Sequence, residues 1–321
     1  MTRRWAMRLP RIIFILLTTA AIGALVWLYL SGDGGMRVSL SPASEERAVA
    51  IRPVVVDPAL LENGPTGTLP RIGLDGRMPW RVYRTRLAGN ANPPRIAIVL
   101  TNLGLNQKMT KKAIDELPPA VTLGFSPYAE RLVEQVKAAR IAGHEVLLAV
   151  PMEPIGYPIH DPGEQTLLTT NTESQNITLL KWSMARFPGY VGIIPHMGRR
   201  FIASRRHLLP VLGEMKRRGL MFLDSSAASS GGGQGTKLSV VLGLPNASAT
   251  GWIDDDPSRI SISARLNQIT VATKKTGLGV ALGRLYPVTI EMIIAWMRRL
   301  RAEGVTAVPI TVAAEAGMKG K

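Results

Sequence analysis

Cysteine is absent from the 321 residues, which excludes a disulfide framework and any thiolate-ligated metal and says nothing about redox compartment. Histidine occurs only four times and aromatic residues make up 5% of the chain, so imidazole chemistry has few places to sit. Acidic side chains are also scarce: 23 Asp+Glu face 39 Lys+Arg, a formal net charge of +16. Twelve of the basic and six of the acidic residues lie within 1–92, so both parts of the chain are basic. A surface of this sign favours anionic partners such as phospholipid headgroups, acidic glycans or nucleic acid. No nucleic-acid-binding motif occurs, and the one long apolar run points to a membrane instead. Internal repeats are missing too.

That apolar run, Ile12 to Leu30, carries no charge and is long enough to cross a hydrocarbon core as a helix. Arg3, Arg4, Arg8 and Arg11 precede it, which places the N-terminus in the cytoplasm and the remaining chain across the inner membrane, in the periplasm. A cleaved signal peptide would send the domain to the same side. The exit Val26-Trp-Leu-Tyr-Leu-Ser31 lacks a small-x-small cleavage site, and Trp27 and Tyr29 suit an interfacial belt. The reading is a basic tail over 1–11, a transmembrane anchor over 12–30 and a flexible spacer over 31–93. Pro42, Pro53, Pro58, Pro65, Pro70 and Pro79 interrupt any long helix in the spacer. Within it, Val54-Val-Val56 and Trp80-Arg-Val-Tyr83 could add edge strands or dock on the domain. The domain itself spans 94–315, followed by a tail over 316–321.

From Ile96 onward short apolar runs alternate with amphipathic stretches. Strands are expected at Ile96–Leu100, Val121–Phe125, Glu145–Val150, Val191–Ile194, Leu220–Leu223, Leu278–Leu282 and Val305–Ile310. Helices are expected over Gln107–Leu117, Tyr128–Ala142, Ser174–Phe187, Arg205–Arg218, Asp256–Lys275 and Val288–Glu303, with Asp256 as an N-cap. Leu238–Leu242 is left as a stretch that could pair beyond a Ser/Gly-rich loop. This alternation implies an α/β class with a parallel sheet, either closed into a (β/α) barrel or open and doubly wound. In both, functional groups gather just past the C-terminal ends of the strands. Thr101, Asn102, Glu153, His196, Asp224 and Asp254-Asp-Asp256 all fall there.

The residues that carry a family likeness appear in order along 94–313. They are Ile96-Ala-Ile-Val-Leu-Thr-Asn-Leu-Gly104, Gly143-His-Glu-Val-Leu-Leu148, Pro151-Met-Glu-Pro154, His196-Met-Gly198, Phe222-Leu-Asp-Ser225 and Gly279-Val-Ala-Leu-Gly283. Together they resemble the divergent polysaccharide deacetylase family of the carbohydrate-deacetylase superfamily. The resemblance implies a distorted (β/α) barrel and metal-assisted hydrolysis of an acetyl group from a sugar, usually in envelope polysaccharide. The departures fall on the polar strand ends. Thr101-Asn102 stands for an Asp-Asp pair, Ala149 for a histidine, Ile194-Pro195 for Asn-Asn, Ser226-Ala227 for Arg-Thr and Arg284-Leu285 for His-Pro.

Amide hydrolysis needs an activated water with a base and an acid of suitable pKa. Thr101 and Asn102 do not titrate near neutrality and are weak metal ligands. Glu153, His196 and Asp224 remain as candidate catalytic groups, with Thr101, Asn102, Asp254, Arg284 and Trp252 as candidate ligand contacts. No metal site is assigned. A divalent metal such as zinc becomes the cofactor only if Glu153, His196, Asp224 and Asp254 form a rearranged site. Arg284 would repel such a cation or hold a ligand carboxylate, and Trp252 could stack on a sugar. Of the other histidines, His144 is expected to bond backbone at a helix–strand junction, and His160 and His207 to lie at the surface. The Arg199-Arg200 and Arg205-Arg206 pairs offer contacts to an acidic glycan or phospholipid. The expected function is therefore a membrane-anchored, deacetylase-like protein acting on or binding envelope polysaccharide or another acidic glycan, with impaired or lost metal chemistry. A working hydrolase with a rearranged site and a basic envelope adaptor with a protein partner are the alternatives.

Overall fold

The computed structural model describes residues 55–85, 94–228 and 233–319. The basic tail and the anchor expected over 1–30 lie outside these residues. Among the described residues no helix is long and apolar enough to cross a membrane.

The strands and helices alternate as expected, with adjusted ends. β1 (Leu61–Gly64) and β2 (Gly67–Pro70) form a hairpin, and a single helical turn, α1 (Pro79–Val82), follows. The domain then runs through β3 (Arg95–Leu103), α2 (Gln107–Glu116), β4 (Val121–Phe125), α3 (Leu132–Ile141), β5 (Val146–Met152) and α4 (Glu173–Met184). β6 (Gly192–Met197), α5 (Arg199–Ala203), α6 (Arg205–Arg217), β7 (Met221–Asp224) and α7 (Gln234–Leu242) continue it. The last elements are β8 (Asn246–Ser248), β9 (Gly251–Trp252), α8 (Arg259–Thr276), β10 (Leu278–Arg284), α9 (Pro287–Leu300), β11 (Thr306–Val308) and α10 (Ile310–Lys319).

β3 to β11 make one parallel sheet in the order β8-β7-β6-β5-β4-β3-β10-β9, with β11 also paired to β3. Its two edge strands, β8 and β9, are joined by Ala249-Thr250 alone. Ala249 N donates to Asp224 O on β7, and Thr250 N donates to Val280 O on β10. One short segment thus belongs to both edges, and the sheet is curled on itself.

Strand geometry sends successive side chains to opposite faces, and two apolar layers result. Ile96, Ile98, Leu123, Leu148, Ile193, Phe222 and Ala281 face outward and pack under the helices, against residues such as Val136, Leu180, Leu212, Ile262 and Trp296. Ala97, Val99, Leu147, Ala149, Ile194, Leu223, Val280 and Leu282 face inward. The inner layer is filled by Leu60, Trp80 and Tyr83 from the N-terminal arm and by Ile310, Ala313 and Ala314 from α10.

Buried polar groups hold that plug. Glu145 at the foot of β5 is fully buried and accepts bonds from Thr85 N (2.9 Å), Thr311 N (3.1 Å) and the Thr311 hydroxyl. Burial pushes its carboxyl pKa up, and those donors, with the Arg140 charge, oppose the shift. Arg140 donates to the carbonyls of His144 and Tyr83, and Arg218 to that of Pro70. Gly219 (φ +65°) lies where a Cβ would come within 3.0 Å of Ile72 and Pro79, so its lack of a side chain lets the arm pack down.

Four expectations change. In the stretch read as a flexible spacer over 31–93, residues 55–85 pack on the domain, because Leu60, Leu69, Trp80 and Tyr83 bury there. The rest of that stretch lies outside the described residues. Leu238–Leu242 is helical, since Leu238 and Leu242 at i,i+4 spacing turn one face inward while Val241 is exposed. Ser258, not Asp256, caps α8, and Asp256 instead accepts from Ser258 N and the Ser261 hydroxyl. The tail expected over 316–321 is helical as far as Lys319, because α10 is tethered through Thr311.

Truncating a buried tryptophan costs about 3–5 kcal/mol. Trp80→Ala is therefore expected to lower the unfolding free energy by about that amount in urea titration. Leu74→Ala, in the same arm but 95% exposed, is expected to change it by less than about 0.5 kcal/mol. Equal, small effects would mean that the arm contributes nothing to the core.

Candidate functional site

The C-terminal ends of the strands open into a cavity of about 400 Å³. Its wall comes from Thr101 and Asn102 on β3, Ala149 on β5, Ile194 to Met197 on β6 and Arg199 opening α5. Ser225 and Ser226 after β7, Trp252 on β9, Arg284 on β10 and Tyr286 beyond it complete the ring.

Strand parity selects this set. Continuing the inward register of Ala97 and Val99 reaches Thr101; Leu147 leads to Ala149, Ile194 to His196, Leu223 to Ser225 and Leu282 to Arg284. Two residues depart from alternation by adopting left-handed backbone, Asn102 (φ +66°) and Met197 (φ +61°). Each therefore joins its predecessor on the cavity wall. Asparagine tolerates this conformation, whereas for methionine it costs about 1–2 kcal/mol, strain placed at the cavity rim.

Five of the eight predicted site residues meet here: Thr101, Asn102, His196, Trp252 and Arg284. The three carboxylates do not line the cavity. Asp224 shares the outward parity of Phe222 and is fully buried on the helix side. It accepts from Ser226 N (3.1 Å), the Ser226 hydroxyl (2.6 Å), Thr236 N (2.7 Å) and the Thr236 hydroxyl (3.1 Å), tying the loop after β7 to the start of α7. Glu153 lies past the end of β5, buried, where it accepts from Thr169 N and pairs with Arg200 at 3.3 Å. Asp254 is buried behind the wall, bonded to Arg284 and to the Thr289 hydroxyl (2.9 Å). Burial raises the Asp254 pKa, and its bonds to Arg284 and Thr289 counter that rise.

Arg284 is the dominant cation. Its Nη1 donates to Asp254 Oδ1 (2.9 Å) and Asp254 O (3.2 Å), and its Nη2 to Asp255 Oδ1 (3.2 Å). The guanidinium carbon sits 4.3 Å from the Trp252 ring centroid, so one face of the indole is taken by the cation. His196 has no hydrogen-bond partner for its ring among the described residues. Burial first, and the Arg284 charge second, push its pKa below the 6.5 of a free imidazole, leaving it neutral at pH 7. The Thr101 hydroxyl is spent on Gly283 O (3.1 Å).

These groups do not fit a zinc site. Among the described residues the cavity wall offers one imidazole, two guanidinium groups and no carboxylate, and Asp224 and Asp254 have their oxygens engaged by local donors. Among the described residues no group of three His, Asp or Glu side chains could hold a metal ion. The rearranged Glu153–His196–Asp224–Asp254 site is thus not assembled, because parity turns Asp224 outward and Arg284 occupies Asp254. His144 behaves as expected, bonding Val121 O (2.8 Å) and Ile114 O (3.3 Å). Tyr286 and Ser225 were missed; following each strand's inward parity to its end reaches Ser225, and continuing two residues past Arg284 reaches Tyr286.

The sequence profile described as divergent polysaccharide deacetylase matches residues 98–313, from β3 into α10. The chain belongs to that family. The crystal structure of the uncharacterized protein ATU2773 from Agrobacterium tumefaciens C58 is similar at 34% identity and a TM-score of 0.73, covering 77% of this chain and 99% of that one. The uncharacterized protein YibQ of Escherichia coli K12 is 24% identical over 200 residues, which span 62% of this chain and 61% of YibQ. An uncharacterized protein of Haemophilus influenzae is 22% identical over 207 residues, 64% of this chain and 72% of its own length. The divergent deacetylase family thus supplies the fold, a curled parallel sheet with its cavity at the strand ends.

Two outcomes are expected. By NMR titration the His196 ring protonates below pH 6.5, and Arg284→Gln moves that midpoint upward by removing the repelling charge. An unchanged midpoint would mean that Arg284 does not face the ring. Asp224→Ala strands two backbone donors and is expected to cost about 2–6 kcal/mol in urea titration, at about 1–3 kcal/mol per unsatisfied group. A loss under about 1 kcal/mol would contradict the structural role given to Asp224.

Proposed function

We propose that this chain is a membrane-anchored, envelope-facing member of the divergent polysaccharide deacetylase family that binds carbohydrate and has lost metal-dependent deacetylation. One observation carries the reading: among the described residues the strand-end cavity presents a guanidinium locked by Asp254, no carboxylate and no group of three metal ligands, so His196 is left as a base with neither a metal nor a carboxylate beside it to activate water for amide hydrolysis. His196, neutral and without a partner among the described residues, would serve as a hydrogen-bonding group to sugar hydroxyls, together with Asn102 and Tyr286. Residues 12–30 would hold the domain at the membrane surface, and the basic composition suits an anionic envelope.

The test uses the full chain in detergent micelles. Metal content is measured by mass spectrometry, acetate release is assayed on acetylated glycan oligomers, and oligomer binding is followed by calorimetry. Expected are zinc well below one per chain, no acetate release and measurable binding. Stoichiometric zinc with turnover that disappears in His196→Ala would overturn the reading in favour of a rearranged hydrolase. Absence of binding to any glycan would overturn it in favour of an adaptor whose cavity is unused.

A further inference from the structure

Resting on the reading of a carbohydrate-binding cavity, we infer that the Arg284 guanidinium is a preset fork for the carboxylate of an acidic sugar, so that the ligand is a uronate-bearing glycan. Three observations lead there. First, Arg284 is held on one side only. Nη1 and one hydrogen of Nη2 are taken by Asp254 and Asp255, while Nε and the remaining Nη2 hydrogen make no bond within the described residues. In arginine these two N–H bonds lie side by side and parallel, the arrangement that accepts both oxygens of one carboxylate.

Second, the fork cannot swing away. Asp254 is buried, accepts from the Arg284 backbone N–H as well as from its side chain, and the guanidinium plane lies over Trp252. The rotamer entropy that a free arginine would lose on binding has already been spent in folding. Asp254 is therefore a positioning residue, acting on a ligand through Arg284.

Third, among the described residues no carboxylate lines the cavity to compete for the fork. Asp254 is buried and Asp255 lies exposed outside the lining, and the wall groups that can bond a ligand include the Asn102 amide, the neutral His196 ring and the Tyr286 hydroxyl. Asp254 and Asp255 together outweigh the single Arg284 charge, so the preference for a carboxylate comes from fork geometry rather than from a bare cation. A cavity of about 400 Å³ lies at the small end of ligand-binding sites, matching one or two sugar residues of a longer chain.

The full chain in micelles is titrated by calorimetry with galacturonate oligomers and with the same oligomers after reduction of their carboxyls to primary alcohols. The uronate form is expected to bind about tenfold or more tightly, with the difference narrowing as salt is raised. Arg284→Lys keeps the charge and removes the fork. It is expected to lose that tenfold preference while still binding the reduced oligomer. Asp254→Asn is expected to narrow the preference for the uronate form over the reduced form. The wild-type comparison needs no variant to fold, and the urea midpoints of both variants are measured alongside.

Equal affinity for the two oligomers would overturn the carboxylate assignment while leaving carbohydrate binding intact. Uronate binding unchanged in Arg284→Lys, or displaced equally well by inorganic phosphate, would also overturn it. Failure to bind either oligomer overturns this inference; only failure across neutral and acetylated glycans as well removes the broader reading beneath it.

Discussion

In a parallel sheet curled so far that β8 and β9 are successive pieces of one segment, every strand must direct alternate side chains to the inside. The interior is closed from below, where Trp80, Tyr83 and Ile310 sit against Ala97, Val99 and Leu147. It is open only above, where the same registers end in Thr101, Ala149, His196 and Arg284. Core and cavity are thus one layer of side chains, apolar at the foot and polar at the mouth. Glu145 is the polar counterpart at the foot, and it couples two distant parts of the chain, Thr85 and Thr311, to the start of β5.

At the mouth a single buried carboxylate has the corresponding role. Asp254 satisfies the Arg284 backbone, holds its guanidinium and accepts from Thr289. A carboxylate with these three donors has both oxygens engaged, and a guanidinium in front of it opposes any second cation. Metal chemistry is thereby disfavoured through two linked residues. The cavity wall that results is rich in donors, with a neutral imidazole kept neutral by burial and by its cationic neighbour.

Much of the fold was legible because buried parallel strands read as short apolar runs. Val121–Phe125 matched to the residue, and the helices from Gln107 and Arg205 began where capping and periodicity placed them. Two of the errors share one cause. Leu238–Leu242 and residues 55–85 depend on what they pack against, since a β-branched or proline-rich stretch with a few large apolar side chains is compatible with more than one state until a partner buries them. In the site, Thr101, Asn102, His196, Trp252 and Arg284 were reached by following strands to their ends. Asp224 was misplaced by proximity to a strand end without regard to parity, and Tyr286 lay beyond the residues considered.

By itself the sequence determined the class of fold, the order of its strands and helices, and which positions stand at the strand ends, because period-two burial and helix caps are local signals. It also determined that Thr101, Asn102, Ala149 and Arg284, none of them an acid or an imidazole, stand at those ends. Tertiary structure alone decided which of those groups share a cavity. Asp224 and Ser225 are neighbours in the chain, yet one faces the helices and the other faces the cavity, because the pleat turns adjacent residues to opposite sides. Only the curled sheet brings Asp254 behind Arg284, thirty residues away, and converts a lone basic residue into a fixed fork.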